Sequence, residues 1–219
     1  MRYAILSDVH ANRQAMAAVL TDIFSHGVDA IISLGDLVGY GPDPAAVLQD
    51  AYSRVSYFVM GNHDAVIGGV LDPGAFNEQA RRLIDWTSGQ IDAKAVSFLA
   101  QQPYVLTDPV FRCCHGSPAS PGAFHYVLEG EQALSAWESG PEPFMFIGHS
   151  HVPGLFVRGR SGRPHWLAAT DFAAEEHKRY IINVGSVGQP RDGDVRASYC
   201  LFDAERGEVR FRRVPFDLD

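Results

Sequence analysis

The sequence predicts an α/β protein in which two β-sheets pack against each other and helices flank them. Two observations predict this fold class. Near the start of the chain, short apolar runs alternate with segments of helical periodicity, the β-α-β-α-β rhythm of strands that are buried on both faces. In the second half, short apolar runs follow one another with one helical interruption, which predicts a second set of strands.

The individual elements follow from this spacing. We predict early strands at 3–6, 30–34 and 55–60. One helix begins after Asn12, a suitable N-cap, and another opens at Pro44. Within a single domain of 1–219, the segment near 68–102 has a helical pattern and is predicted to be an insertion or a flanking layer. The later elements are strands at 104–107, 110–115, 144–148, 155–157, 180–184, 198–202 and 209–214, and a helix at 131–137.

The composition is that of a folded globular protein, with 46% hydrophobic and 20% charged residues among 219. A net charge of −8 disfavours attraction of the whole surface to nucleic acid, so a nucleic-acid polymer is not an expected partner. No apolar stretch approaches the ~20 residues that a membrane span needs, and the N-terminus lacks the features of a signal peptide. We therefore expect a cytoplasmic protein with no membrane partner, and the oligomeric state stays open.

Histidines and acidic residues fall at the ends of predicted strands. Asp8, Asp36 and Asn62 each follow an apolar run. Five of the nine histidines do the same: His10, His63, His115, His149 and His151. Because ligands of open α/β sheets bind where the carboxyl ends of the strands meet, we expect these side chains to lie together.

This mixture of ligand types indicates a metal centre. Carboxylate oxygens combined with imidazole nitrogens suit first-row divalent ions, namely Mn, Fe, Co, Ni or Zn. A Mg or Ca site built from oxygen ligands would not require so much imidazole. The number of candidate ligands favours two divalent ions about 3.5–4 Å apart. We expect Mn to be the most effective ion in vitro.

Five short motifs resemble those of the calcineurin-like metallophosphoesterase superfamily and occur in the order typical of that family. They are Asp8-Val9-His10, Gly35-Asp36, Gly61-Asn62-His63-Asp64, His115-Gly116 and Gly148-His149-Ser150-His151. Each motif alone is weak, but the five together, over about two thirds of the chain, are specific. The resemblance implies a four-layer α/β/β/α sandwich of two mixed β-sheets flanked by helices.

The resemblance also implies roles for single residues. Seven would be metal ligands: Asp8, His10 and His151 on the first ion, Asp36 as the bridge, and Asn62, His115 and His149 on the second. A hydroxide that bridges the two ions would attack phosphorus in line. His63 would then protonate the leaving oxygen as a general acid. Asp64 would hold the imidazole of His63 in one tautomer and support its protonated form.

The loop that follows Gly35 separates classes within the superfamily. Phosphoprotein phosphatases carry the pattern GDxxDRG, but Gly39-Tyr40 replaces the Asp-Arg pair here, so one phosphate-binding guanidinium is missing. The stretch GDLVGYGPDP and the later NVGSVGQPRDGD instead resemble small prokaryotic phosphodiesterases and diadenosine-tetraphosphatase-like proteins. The resemblance is specific for this subgroup and does not name a substrate.

Five more residues are candidates for substrate contact, each with a structural alternative. They are Asn12, Arg13, Tyr40, His125 and Arg191. The alternatives for the first four are a helix cap, an exposed first-turn residue, packing of a loop and an ordinary loop position. Arg191 lies in a loop rich in Gly and Pro, where it contacts a substrate phosphate or pairs with Asp192 or Asp194.

These observations predict a two-metal phosphodiesterase or nucleotide phosphohydrolase that acts on a small phosphate ester or nucleotide. A phosphomonoesterase, including a protein phosphatase, is the alternative within the enzymes. A metal-binding interaction scaffold without activity is a further alternative. The retromer scaffold subunit of this superfamily has lost the histidine equivalent to His63, so the presence of Asn62 and His63 here argues against that function.

Overall fold

The computed structural model describes residues 1–76, 78–159 and 162–217. This part of the chain contains these strands: β1 (Arg2–Leu6), β2 (Ala30–Ser33), β3 (Tyr57–Phe58), β4 (Val105–Thr107), β5 (Phe111–Cys114), β6 (Phe144–Ile147), β7 (Gly154–Arg158), β8 (His165–Ala168), β9 (Phe172–Ala173), β10 (Arg179–Asn183), β11 (Ala197–Asp203) and β12 (Glu208–Val214). Its α-helices are α1 (Arg13–Ser25), α2 (Pro44–Arg54), α3 (Asn62–Ile67), α4 (Glu78–Ser88), α5 (Ala93–Ala100) and α6 (Gly130–Glu138). Among the described helices, none has the length and apolar character needed to cross a membrane.

The strands form two mixed sheets of six strands each. The first has the order β3-β2-β1-β11-β12-β9, in which β3, β2 and β1 are parallel and the remaining pairs are antiparallel. The second has the order β4-β5-β6-β10-β7-β8, in which β5, β6 and β10 are parallel. The predicted pair of mixed sheets is therefore confirmed.

Alternation along β1 shows how the layers stack. Tyr3 and Ile5 belong to the core between the two sheets, together with Phe146 of the second sheet. Ala4 and Leu6 point to the opposite face, where they pack with α1 and α2. Trp137 of α6 is buried with the second sheet. Helices therefore cover the outer sides of two packed sheets, which confirms the α/β/β/α sandwich.

The structure differs from the predicted elements in three places. The strand predicted at 55–60 pairs only over Tyr57–Phe58, because the N–H of Met60 leaves the sheet and donates to the carbonyl of Pro103 (2.8 Å). Strands β8 and β9 were not predicted, since β8 is exposed along its length and β9 has two residues. The segment near 68–102 forms α4 and α5 after a short 3-10 turn at Pro73–Ala75.

The parallel strands bring the motifs to one edge of the sandwich. Asp8 and Asp36 follow β1 and β2, and Asn62 follows β3 as the first residue of α3. His115 follows β5, and His149 follows β6. Parallel strands present their carboxyl ends on the same side, so five loops from two sheets meet there.

Candidate metal centre

The seven predicted ligands converge at this edge. The Nε2 atoms of His10 and His151 lie 3.1 Å apart. The Nε2 atom of His115 lies 3.1 Å from the Nδ1 atom of His149 and 3.1 Å from the Oδ1 atom of Asn62. Two groups of nitrogen and oxygen atoms result, and they match the two sets that the motifs predict.

The two carboxylates lie between these groups. The Oδ1 atom of Asp8 is buried, accepts no hydrogen bond and lies 3.2 Å from Nε2 of His151. The Oδ2 atom of Asp36 lies 3.3 Å from Nε2 of His115 and 3.7 Å from Nε2 of His10. Asp36 therefore reaches both groups, as a shared ligand must.

The second nitrogen of three histidines fixes the tautomer. The Nδ1 atoms of His10, His115 and His151 lie 3.2, 2.9 and 2.6 Å from backbone carbonyl oxygens. A carbonyl oxygen can only accept, so each Nδ1 carries the proton and each Nε2 turns a lone pair toward the centre. Lone pairs that face each other at 3.1 Å repel unless a cation lies near both. The donor set therefore fits divalent metal ions.

The electrostatics of the buried groups agree with this fit. Burial acts to raise the pKa of Asp36, but attraction to His115 and His63 outweighs it and holds the pKa well below its usual range. Burial acts to lower the pKa of His115, but the carboxylates of Asp36 and Asp8 raise it to about 9. Burial lowers the pKa of His10 to about 3. The centre concentrates negative charge that a bound cation would neutralise.

The backbone at the site adopts conformations that side chains usually avoid. Five candidate ligands have positive φ: Asp8 (54°), His10 (48°), Asp36 (53°), His149 (66°) and His151 (60°). Such residues cost of order 1–3 kcal/mol each and cluster at functional sites. A side chain at Gly61 would overlap the carboxylate of Asp36, and one at Gly148 would overlap that of Asp8. These two glycines are required for close packing around the carboxylates.

His63 borders the centre, but the predicted role of Asp64 is wrong. The N–H of His63 donates to Oδ1 of Asp36 (2.9 Å), and its ring packs against Tyr40 at 4.5 Å. Its buried Nδ1 atom has no hydrogen-bond partner in the described residues. The carboxylate of Asp64 instead accepts from the backbone N–H groups of Leu37 (3.1 Å) and Gly61 (3.3 Å). Successive residues of a helix are rotated by about 100°, so these neighbours in α3 point apart.

The candidates for substrate contact divide into two sets. Tyr40 and Arg191 line the cavity of 390 Å³ that also contains the candidate ligands. Asn12 is instead the N-cap of α1, where it accepts from the N–H of Ala15 (3.0 Å). Arg13 and His125 are exposed and do not line this cavity. The structural alternatives therefore hold for Asn12, Arg13 and His125.

Three aromatic residues that were not predicted as site residues line the same cavity. Tyr126 stacks on the ring of His149, with centroids 4.0 Å apart and planes at 14°. Phe76 contacts the ring of His63 edge-on at 5.0 Å. Phe124 completes the wall. The loop after His115 was recognised as a possible rim, but aromatic residues in loops and helices are equally typical of packing.

Comparisons with known proteins place the fold and the centre in context. Residues 1–207 match the model of the calcineurin-like phosphoesterase superfamily domain. The chain is 34% identical to the uncharacterized protein MJ0912 of Methanocaldococcus jannaschii, over 98% of this chain and 88% of that protein.

Two solved structures extend the comparison. A metallophosphoesterase from Sphaerobacter thermophilus is 38% identical, with a TM-score of 0.85 over 99% of this chain and 89% of that chain. An archaeal phosphodiesterase is 15% identical, with a TM-score of 0.53 over 98% of this chain and 100% of that chain. At this level of identity the phosphodiesterase shares the fold alone.

Proposed function

This chain belongs to the calcineurin-like phosphoesterase superfamily, and we propose that it is a two-metal phosphodiesterase or nucleotide phosphohydrolase. The observation that carries the proposal is the pair of facing nitrogens in His10 and His151, 3.1 Å apart, whose Nδ1 atoms are both committed to backbone carbonyls. A buried pair of this kind is costly without a cation. Asp8, which lies beside it, supplies a carboxylate oxygen without a hydrogen-bond partner.

The seven converging residues would hold two divalent ions, with Mn the ion we expect to be most effective in vitro. When bound, such ions supply a nucleophile from water at neutral pH and neutralise charge on the phosphoryl oxygens. The chain fixes the donors before any ion binds, through backbone hydrogen bonds to the imidazoles.

His63 is the proposed general acid. It lines the cavity, and its backbone is held by the shared carboxylate of Asp36. Tyr40 and Phe76 contact its ring at 4.5 and 5.0 Å and hold the plane of the imidazole. A ring nitrogen directed into the cavity is placed to protonate the departing oxygen of an ester.

Asp64 is a positioning residue in this proposal. Its carboxylate accepts hydrogen bonds from the backbone of the loop after β2 and from Gly61 before α3. It therefore ties the loop that carries Asp36 to the helix that carries Asn62 and His63. Loss of this tie would move the shared ligand relative to the acid.

The shape of the cleft supports a diester over a monoester. The cavity of 390 Å³ that holds the candidate ligands adjoins a second cavity of 530 Å³, and Tyr40 and Arg191 line both. A monoester needs space for one substituent on phosphorus, whereas a diester needs space for two. The adjoining cavity offers space for the second substituent.

The test is hydrolysis of a bis-aryl phosphodiester and of the matching aryl monoester by Mn-loaded protein. We expect the diester to be preferred. In His63→Ala, we expect a loss of about 10²–10⁴-fold on esters with poor leaving groups and a small loss on nitrophenyl esters, with both metals retained. Preference for the monoester would favour a phosphomonoesterase. Two bound metals without turnover of either ester would favour an interaction scaffold.

A further inference from the structure

Arg191 lies where the two cavities of the cleft meet. The cavity of 390 Å³ contains the candidate ligands. The cavity of 530 Å³ is lined by Gln79, Leu83 and Gln189, and both cavities include Tyr40 and Arg191. Among the described residues that line them, Arg191 is the one arginine and no lysine is present. Any anion in the second cavity would meet this guanidinium.

The backbone of Arg191 is held by the candidate ligands themselves. Its N–H donates to the carbonyl of His151 (3.2 Å), and the carbonyl of Gln189 accepts from Nδ1 of His151 (2.6 Å). The N–H of Gly188 donates to the carbonyl of Asp8 (3.0 Å). The loop after β10 therefore lies directly on the first group of ligands, which fixes the distance between Arg191 and the centre.

The acidic residues next to Arg191 in the chain are engaged elsewhere. Asp192 forms an ion pair with Arg213. Asp194 pairs with Arg196 at 2.6 Å. The structural alternative for Arg191, an ion pair within its own turn, is therefore taken by two other arginines.

The groups that do hold the side chain of Arg191 are neutral. Its guanidinium donates to Oε1 of Gln189 (2.8 Å) and to the hydroxyl of Tyr40. The ring of Tyr40 packs on His10 at 4.6 Å and on His63 at 4.5 Å, so it supports the guanidinium from the side of the centre. The arginine is oriented without neutralisation, which suits a site that binds an anion.

We propose that Arg191 is a specificity-determining residue that binds an anionic group on the part of the substrate that is not cleaved. The preferred substrate is then a phosphodiester or phosphoanhydride with a second negative charge on the arm that enters the cavity of 530 Å³. This inference rests on the proposed phosphoesterase function. It concerns the arm in the second cavity, because the reacting phosphoryl group lies among the candidate ligands.

Two aryl phosphodiesters with the same leaving group test the proposal. The alkyl arm of one ends in a carboxylate and that of the other in the isosteric carboxamide. In Mn-loaded Arg191→Gln, we expect KM for the carboxylate ester to rise about 10- to 100-fold, the range for a lost charge-assisted hydrogen bond. We expect kcat for both esters and KM for the carboxamide ester to stay unchanged. Arg191→Lys should recover part of the loss.

Arg13→Gln is the matched control, since it removes the same charge from an exposed residue outside both cavities. It should leave the ratio of the two KM values unchanged. An equal loss on both esters in Arg191→Gln, or no loss on either, would overturn the proposal. Failure of the wild-type protein to hydrolyse either ester would instead count against the phosphoesterase function.

In that event, calorimetric binding of the matching aryl phosphonates decides the role of Arg191 without turnover. The carboxylate phosphonate should bind the wild-type protein more tightly than the carboxamide phosphonate. Arg191→Gln should remove the difference. Equal binding of both phosphonates by the wild-type protein would refute an anion site at Arg191.

Discussion

The two groups of candidate ligands are held by different means. In the first group, hydrogen bonds to backbone carbonyls fix His10 and His151, and the loop after β10 fixes the backbone of Asp8. In the second group, His149 faces the centre through Nδ1, and the half-exposed Tyr126 covers its ring. Asn62 stands at the partly exposed start of α3. The first group is rigid and the second is closer to solvent.

The charge of the ligands differs in the same direction. Asp8 belongs to the first group, and the two groups share Asp36. The second group adds only the neutral amide of Asn62 and two imidazoles. A divalent ion is attracted more strongly by two carboxylates than by one. We therefore expect the first group to bind its ion more tightly and the second to exchange its ion more readily.

The largest expected effect comes from the residue that the two groups share. Asp36→Asn removes the carboxylate that reaches both His10 and His115, so both ions should bind more weakly and activity should fall by about 10³-fold. Metal content by elemental analysis and turnover of the diester measure this. Asp85→Asn, the same change at an exposed residue of α4, is the control. Full metal content with normal turnover would refute the shared ligand.

Removal and return of metal tests the difference between the groups directly. A chelator should lower the free energy of unfolding, and each ion should restore about 2.7 kcal/mol when its concentration is 100 times its Kd. Because the first group carries more charge, we expect two separate binding steps in a calorimetric titration. One step with two equivalent sites would contradict the comparison.

Tyr126 offers a way to weaken the second group alone. Tyr126→Leu removes the ring that stacks on His149, and we expect the affinity of the weaker site to fall by about 10-fold, the lower end for loss of a group that orients a ligand. The tighter site should be unaffected. Tyr126→Phe keeps the ring and should bind both ions normally. A fall at the tighter site would show that the two groups are not held independently.

The residues of the centre could be predicted because residue type and position there carry the same message. Asp8, Asp36 and His115 each end an apolar run, which indicates both the strand and the chemistry at its end. The left-handed backbone at Asp8 and Asp36 was not predictable, because no local sequence rule places an aspartate there. That conformation depends on contacts between distant loops.

Other features depend on direction rather than on residue type. Asp64 was predicted to hold His63 because the two are adjacent, but the helix that begins at Asn62 turns their side chains apart. Phe76 and Tyr126 line the cavity, although their patterns are those of ordinary packing residues. The charge of Arg191 is available because Asp192 pairs with a distant residue of β12. Such tertiary pairings are not encoded in the neighbouring residues.

The smallest expected effect concerns the scaffold of the first group. Asn12→Ala removes the N-cap of α1 and a hydrogen bond to the carbonyl of Gly188 (3.0 Å), so the free energy of unfolding should fall by about 1 kcal/mol. Asn12→Ser keeps a cap and should recover most of that loss. Both metal affinities should persist, because Gly188 and Ser186 also bond to the carbonyl of Asp8. Chemical denaturation and metal titration measure the two properties separately. A weaker first site in Asn12→Ala would mean that its rigidity depends on this one side chain rather than on the backbone bonds.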